Sequence, residues 1–239
     1  MNGSRKLALI GMGKMGTVVN QLAPQRGWEV VASIGSEDNR SGRGVTRESL
    51  NGAEVAIEFT TPEAAVANVR AAVSAGCPIV VGTTGWQGEL PDLSKWVIDQ
   101  HGALLTAANF SLGVNAFEQI VALAAKLLAG AGEFDAHLVE THHAAKKDAP
   151  SGTAATLRTA ARNGWPRDIP ITSVRTGWVP GTHELVFDAP FETVTLTHTA
   201  RDRRVFAEGA LVAARWLMGR EGVFTMRDVL TTGSGDRTP

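Results

Sequence analysis

The chain of 239 residues contains a single cysteine, Cys77, and therefore cannot form an internal disulfide, which is typical of proteins from a reducing compartment. It also lacks an excess of either charge, since 23 Lys and Arg residues are balanced by 24 Asp and Glu residues, and this balance predicts neither a nucleic-acid nor a membrane partner. No apolar run approaches the roughly 20 residues that span a bilayer, and the apolar part of MNGSRKLALIGMG is too short for a secretory signal. Together these absences predict a cytoplasmic protein.

The first half of the chain alternates short β-rich runs with alanine-rich helical runs. Strands are predicted over residues 6–10, 29–34, 55–59, 78–81 and 103–107, and helices over 15–24 and 61–76. Such alternation is typical of an α/β domain with a doubly wound parallel sheet.

The pattern changes near Asn109, so the sequence predicts a domain boundary at residues 108–112. A long helix is predicted over 114–128, a strand over 134–141, a helix over 153–163, and strands over 171–176, 183–188 and 193–199. Strands with few helices between them predict an α+β domain with a mostly antiparallel sheet. A last helix follows at 206–219.

The turn after the first strand, LIGMGKMG, places Gly11, Gly13 and Gly16 in G-x-G-x-x-G spacing between a strand and a helix. This context favours a dinucleotide whose pyrophosphate lies on the helix N-terminus, although a plain glycine-rich turn has the same spacing. The acid expected at the end of the second strand is missing, because that strand ends at Ile34-Gly35-Ser36. Acids at 37 and 38 and arginines at 40 and 43 follow, so NADH and NADPH both remain open.

The stretch ETHHAAKKDAPSGTA, residues 140–154, crowds cationic and titratable groups before a helix start. His142 and His143 point to opposite faces if they continue a strand. Lys146 and the backbone N–H groups from Ser151 to Thr153 suit an anionic substrate and a proton donor. The alternatives are a solvated basic loop and a metal site, but no ligand set of metal spacing accompanies the histidines, so no metal is predicted.

This stretch resembles the signature E-x-H-H-x-x-K-x-D-A-P-S-G-T-A of the 4-hydroxy-tetrahydrodipicolinate reductase family, also called the dihydrodipicolinate reductase family. Further matches stand in family order along nearly the whole chain: GMGKMG at 11–16, EFTTPE at 58–63, VGTTGW at 81–86, ANFSLGVN at 108–115, LTHTARDRRVFAEGA at 196–210 and MRDVL at 226–230. The resemblance implies a Rossmann-type nucleotide domain and a second domain that builds a homotetramer. Because the family's last helices return to the first domain, it also implies a dinucleotide-binding domain of residues 1–109 and 210–239 and a substrate-binding and oligomerisation domain of residues 110–209.

The resemblance also assigns roles to individual residues. It implies proton transfer at His142 and Lys146, and contacts to a cyclic dicarboxylate substrate at His143, Gly152 and Thr153. Cofactor contacts are implied at Gly11, Met12, Gly13, Lys14, Met15 and Gly16, at Gly82, Thr83 and Thr84, and at Ala107, Ala108, Asn109 and Phe110.

The implied reaction is the NAD(P)H-dependent reduction of 4-hydroxy-tetrahydrodipicolinate, with loss of water, in diaminopimelate and lysine biosynthesis. The missing acid after the second strand departs from the dinucleotide pattern, and we expect use of both NADH and NADPH with a weak preference for NADPH. Two alternatives share the first domain: another two-domain NAD(P)-dependent reductase or amino-acid dehydrogenase, which needs no ETHHAAKKDAPSGTA run, and a dinucleotide-binding protein without turnover, against which an intact Lys146 and His142 argue.

Overall fold

The described residues, 4–232 of a computed structural model, divide into two units. The first takes the chain up to Phe110 together with the stretch from Phe206 onward, and the second runs Ser111–Val205.

The first unit is built on six parallel strands: β1 (Arg5–Ile10), β2 (Trp28–Ile34), β3 (Val55–Glu58), β4 (Ile79–Val81), β5 (Ala103–Thr106) and β10 (Gly222–Phe224). Their spatial order is β10-β5-β4-β3-β1-β2. Every residue of β3 and β4 is buried, which is typical of parallel strands covered on both faces. The order reverses beside β1, and the carboxyl ends of the strands at such a switch point form the usual nucleotide crevice.

The helices of this unit are α1 (Lys14–Leu22), α2 (Pro62–Ser74), α3 (Leu90–Asp99), α6 (Arg204–Leu217) and α7 (Met226–Thr232), with 3-10 turns at Ala23–Arg26, Arg40–Gly42 and Gln87–Glu89. Pro62 occupies the first turn of α2, and Gly76, just beyond its end, has a φ of +77° that favours glycine. The sequence did not predict α3, α7 or β10, the last of which is only three residues long.

The second unit contains α4 (Leu112–Leu128), β6 (Asp135–His142), α5 (Gly152–Arg162), β7 (Ile171–Arg175), β8 (Thr182–Ala189) and β9 (Glu192–Thr199). The sheet order is β7-β6-β8-β9. Only the β6–β7 pair is parallel; β6–β8 and β8–β9 are antiparallel. The predicted fold class, a doubly wound parallel sheet with a second, mostly antiparallel domain, is confirmed.

One face of the second sheet carries that unit's core. Phe117 and Val121 of α4 and Leu157 of α5 pack with Leu138 of β6 and Phe187 of β8. Along β9 the residues alternate between exposed and half-buried, with the threonines on the exposed side. Within residues 4–232, no helix combines the length and the apolar character that crossing a membrane requires.

Candidate active site

The three glycines of the first turn differ in what surrounds them. Gly11 has a φ of +92°, and a Cβ there would overlap the carbonyl oxygen of Phe59; a Cβ at Gly16 would overlap the carbonyl oxygen of Gly11. Gly13, the N-cap of α1, has open space around its Cβ position. The outer glycines therefore allow the tight turn and the close packing, and the middle one leaves the helix N-terminus open to a pyrophosphate.

A cleft of about 400 Å³ opens beside this turn, at the carboxyl ends of β1, β3 and β4. Six residues predicted to contact the cofactor line it: Gly13, Lys14, Met15, Gly82, Thr83 and Thr84. Phe59, Thr60 and Pro62 line it as well, although sequence reasoning gave them no role. Their position directly after β3, at the same edge of the sheet, is the signal that would have identified them.

The segment Ala107–Phe110, also predicted to contact the cofactor, follows β5 and does not line this cleft. Phe110 is buried, and its ring packs edge-to-face on that of Phe59 with centroids 5.9 Å apart. A Cβ at Gly82 would overlap the same Phe59 ring. Phe59 thus packs between two of the predicted cofactor segments.

The loop after β2 carries the charges that bear on cofactor choice. Asp38 is exposed, and its Oδ2 lies 3.9 Å from the Cβ position of Gly35. Arg40, also exposed, begins the 3-10 turn Arg40–Gly42. A carboxylate and a guanidinium therefore both belong to the segment that follows the strand.

In the second unit, β6 ends at His142, which is buried, whereas His143 is partly exposed, as the predicted alternation requires. Glu140, two residues earlier on the same face, is fully buried and forms a hydrogen bond with Nδ1 of His142. In the sheet register Glu140 pairs with His183 of β8, and His142 pairs with Arg175 of β7. Four side chains from three strands thus meet around one carboxylate.

Glu140 is ionised despite its burial. Burial opposes the charge, but hydrogen bonds from Arg175, Ser173 and His142 outweigh it and lower the pKa of Glu140 to about 2. Arg175 Nη2 lies 2.6 Å from Glu140 Oε1. The Arg175 guanidinium is therefore the main partner of the carboxylate.

The surroundings of His142 favour its neutral form. Burial lowers its pKa, with smaller contributions from Lys146 and Arg175, although Glu140 opposes the shift. Because Nδ1 faces the Glu140 carboxylate, Nδ1 carries the proton and Nε2 is left as an acceptor. A Cβ at Gly181 would come within 3.0 Å of Nε2, so glycine at this position keeps that nitrogen open.

His183 lies behind His142, with ring centroids 5.2 Å apart. Burial and the neighbouring His142 lower the pKa of His183 to about 4. Its Nε2 lies 3.2 Å from Ser151 Oγ, which in turn accepts the N–H of Ala154. Ser151 therefore links the buried His183 ring to the first turn of α5.

The loop between β6 and α5 is attached at several points. Lys146 Nζ lies 2.7 Å from Asp148 Oδ1 and 2.9 Å from Oδ2. Arg175 donates to the Asp148 carbonyl at 2.6 Å, and the Ser151 N–H donates to Glu140 at 3.3 Å. Ser151 caps α5 as predicted. Gly152 has open space at its Cβ position, which leaves the first turn of α5 approachable.

The ligand atoms of Glu140, His142 and His183 lie within 4.8 Å of one another, a spacing that suits a metal ion. The guanidinium of Arg175 already neutralises the Glu140 carboxylate, and Ser151 Oγ lies within hydrogen-bond distance of His183 Nε2. These partners favour an acid–base cluster. Sequence reasoning missed Glu140, Arg175 and His183 as functional residues. The two-residue spacing of Glu140 and His142 on one strand was a local signal for Glu140, whereas Arg175 and His183 reach the cluster only through the register of β6 with β7 and β8.

Comparison with known proteins identifies the family. The pattern described as "Dihydrodipicolinate reductase, N-terminus" matches residues 5–110, and "Dihydrodipicolinate reductase, C-terminus" matches residues 113–230. A 4-hydroxy-tetrahydrodipicolinate reductase of Christiangramia forsetii is 34% identical over 94% of this chain and 97% of the relative. One of Rhodopseudomonas palustris is 40% identical over 74% of this chain and 72% of the relative.

The fold has a counterpart among solved structures. The dipicolinate-bound dihydrodipicolinate reductase from Paenisporosarcina sp. TG-14 superposes with a TM-score of 0.76 at 21% identity, over 92% of this chain and 97% of that one. The resemblance seen in the sequence is confirmed: the chain belongs to the dihydrodipicolinate reductase family.

Proposed function

We propose that this chain carries out its family's reaction, the NAD(P)H-dependent reduction of 4-hydroxy-tetrahydrodipicolinate in diaminopimelate and lysine biosynthesis, with the nucleotide in the cleft of the first unit and the dicarboxylate at the His142 cluster of the second. The observation that carries the proposal is the buried Glu140–His142 pair on the strand that leads into Lys146 and the open start of α5.

The substrate class is supported by the charges of the second unit and by the dipicolinate-bound reductase from Paenisporosarcina sp. TG-14. Lys146 supplies a cation, and the backbone at Gly152 and Thr153 begins a helix of 11 residues whose N-terminus attracts a carboxylate. His143, partly exposed beside them, supplies a further polar contact. A cation, a helix N-terminus and a polar side chain on one loop thus suit a substrate that carries two carboxylates.

The residues of the first unit fit a dinucleotide, since the outer glycines leave no room for a Cβ and the middle one is open. We place it against Gly11–Gly16 and Gly82–Thr84, with Ala107–Phe110 as a further contact segment. A bound NADH or NADPH supplies the hydride that reduces C4 of the substrate ring.

After the reduction the electron-rich ring needs a proton, and the chain must deliver it. Lys146 is the donor in this proposal, because it is a cation held by Asp148 on the loop that follows His142. His142, whose Nε2 faces the glycine at position 181 and whose neutral form is favoured, accepts a hydrogen bond or a proton there. Glu140 fixes the tautomer of His142 and so acts as a positioning residue.

We expect both cofactors to be used, with at most about a tenfold preference, equivalent to roughly 1.4 kcal/mol. Gly35 and Ser36 leave space at the end of β2, and Arg40 offers charge for a 2′-phosphate, which favours NADPH. Asp38 beside Gly35 limits that preference. Comparison of kcat/KM for the two cofactors tests it, and a hundredfold preference for NADH would contradict it.

We also propose that the second unit assembles a homotetramer. Its sheet leaves the threonine side of β9 exposed, and Phe191, at the β8–β9 turn, is completely exposed. Trp178, in the loop after β7, is 95% exposed. Neighbouring subunits that cover these rings and this face would explain them. A monomer in light scattering at micromolar concentration would contradict the proposal.

Steady-state kinetics test the central function. With freshly generated cyclic substrate, the absorbance of the reduced nicotinamide near 340 nm should fall, and pyridine-2,6-dicarboxylate should inhibit competitively with substrate, because it is planar and carries both carboxylates. A purified, folded chain that neither oxidises NADH or NADPH with this substrate nor binds the inhibitor in calorimetry would overturn the proposal.

A further inference from the structure

A fully buried carboxyl group lies next to the nucleotide cleft and belongs to none of the roles given so far. Glu58 is the last residue of β3, and its side chain has no exposed surface. No cationic side chain among residues 4–232 forms an ion pair with it. Burial raises the pKa of Glu58, although hydrogen bonds from neutral neighbours, first among them Thr60, oppose the shift.

Neutral donors converge on one oxygen of this carboxyl. The Thr60 hydroxyl donates to Glu58 Oε1, and Asn68 Nδ2 lies 3.2 Å from the same atom. The other oxygen, Oε2, is buried and has no hydrogen-bond partner. A buried polar atom left in this state costs about 1–3 kcal/mol, which an apolar side chain at this position would avoid.

The network continues from Asn68 into the loop after β2. Asn39 Nδ2 donates to Asn68 Oδ1 at 2.7 Å, and the Gly44 N–H donates to Asn39 Oδ1 at 3.1 Å. Asn68 has no exposed surface and Asn39 only 9%, so the bond between the two amides is shielded from water, and the bond from Gly44 is partly buried. The segment that follows β2 is therefore tied to Glu58 through two amides.

A second branch leads to the loop after β4. The Thr60 N–H donates to Thr83 Oγ1 at 2.7 Å, and the Thr83 carbonyl accepts the indole N–H of Trp86 at 2.7 Å. Thr60 and Thr83 both line the cleft. The segments after β2, β3 and β4, three carboxyl ends of the sheet, thus belong to one hydrogen-bond network that contains the Glu58 carboxyl group.

We propose that Glu58 is a positioning residue for the cofactor: it fixes the segments after β2, β3 and β4 in the arrangement that binds the nucleotide and sets the response to its 2′-phosphate. A side chain that served only to stabilise the sheet would be apolar here, like its strand neighbours Ala56 and Ile57. The bonded partners of Glu58 are instead Thr60, which lines the cleft, and Asn68 of α2, which bonds the loop after β2. This inference rests on the proposed function, because it takes the cleft as the nucleotide site.

Glu58→Leu and Glu58→Gln test the acceptor role, with Glu54→Gln as the matched control on the exposed approach to the same strand, where Glu54 bonds the Lys6 N–H. We expect Glu58→Leu to raise KM and Kd for NADH and NADPH by about tenfold or more, with kcat at saturating cofactor and inhibition by pyridine-2,6-dicarboxylate changed by less than about threefold. Glu58→Gln keeps one carbonyl acceptor and should stay within about threefold of the wild type in cofactor KM.

Asn39→Ala tests the outer end of the network. It also tests the inference independently if Glu58→Leu does not fold. By releasing Gly44 it should change the NADPH-to-NADH ratio of kcat/KM by about threefold or more, an effect that a loss of stability alone does not produce. Unchanged cofactor Kd in folded Glu58→Leu, or an unchanged ratio in Asn39→Ala, would overturn the inference while the wild type still binds cofactor. A wild type that binds neither nucleotide would instead overturn the proposed function.

Discussion

Glu58 and Glu140 are both fully buried carboxyl groups at or near the end of a strand, yet their surroundings shift their pKa values in opposite directions. Glu58 is met by hydroxyl and amide donors alone, and burial dominates. Glu140 is met by Arg175 at 2.6 Å, and the charge is retained. Whether a cation contacts a buried carboxyl group thus determines which form is favoured, the ionised form with a cation and the neutral form without one.

The difference corresponds to two tasks. An ionised Glu140 keeps the proton of His142 on Nδ1, which leaves Nε2 for chemistry in the second unit. Glu58 offers a single acceptor oxygen to two donors and organises loops of the first unit. Under the proposed function, the carboxylate charge is retained beside His142, where protons are moved, and is disfavoured at Glu58, where only the geometry of the loops is needed.

The largest effect should come from Lys146, the cation next to the Glu140 cluster. Lys146→Ala removes the proposed proton donor and should lower kcat by about 10²–10⁴-fold, while the Kd of NADH or NADPH stays unchanged because those contacts belong to the first unit. Lys147→Ala, on the exposed neighbour, is the control. Near-wild-type turnover in Lys146→Ala would show that the donor assignment is wrong.

Removal of the charge of Glu140 should come next. Glu140→Gln preserves the size of the side chain but leaves Arg175, whose side chain is only 17% exposed, without its carboxylate. We expect the free energy of unfolding to fall by about 3 kcal/mol and kcat to fall with it, because His142 loses the partner that fixes its tautomer. Urea unfolding against Glu184→Gln, on the neighbouring strand, measures this. A stability equal to that of the control would mean that Arg175 does not hold the carboxylate ionised.

The dependence of protein stability on pH tests the surroundings of His183, which belongs to the same cluster. An unfolded histidine takes up its proton near pH 6.5, whereas folded His183 does so only near pH 4. The unfolded state therefore binds more protons between these values, and stability is lost as the pH falls through this window. Between pH 7 and 5 the loss should be about 2 kcal/mol. His183→Gln should reduce it and His137→Gln should not; equal losses in both variants would contradict the shift.

Much of this arrangement was accessible from the sequence, because it is encoded in contiguous stretches. The G-x-G-x-x-G turn and the ETHHAAKKDAPSGTA run each carry their own local geometry, and Ser151 caps α5 as predicted. The fold class followed from the change between alternating and consecutive strands. These features depend on neighbours within a few positions, which a sequence displays directly.

What the sequence did not reveal depends on long-range pairing. Arg175 and His183 reach Glu140 only through the register of β6 with β7 and β8. Asn39 meets Asn68 across 29 positions. No local pattern marks these partners, since an arginine or an asparagine at such positions is ordinarily a solvated residue. The sequence therefore named the residues that are proposed to react and left unnamed the residues that are proposed to orient them.

The smallest effect concerns Glu58 and sets it against Glu140 directly. Because burial raises the pKa of folded Glu58, folded protein holds this proton more tightly than unfolded protein, whose carboxyl titrates near pH 4.3. The contribution of Glu58 to stability is then present below that value and is lost as the pH rises through the folded pKa. Glu58→Gln cannot ionise, so its free energy of unfolding relative to the wild type should increase from pH 5 to pH 8. Urea unfolding of both proteins at several pH values in this range measures the drift, with Glu54→Gln as the matched change of charge. A drift of the opposite sign would mean that Glu58 is held ionised as Glu140 is, and the contrast between the two carboxyl groups would disappear.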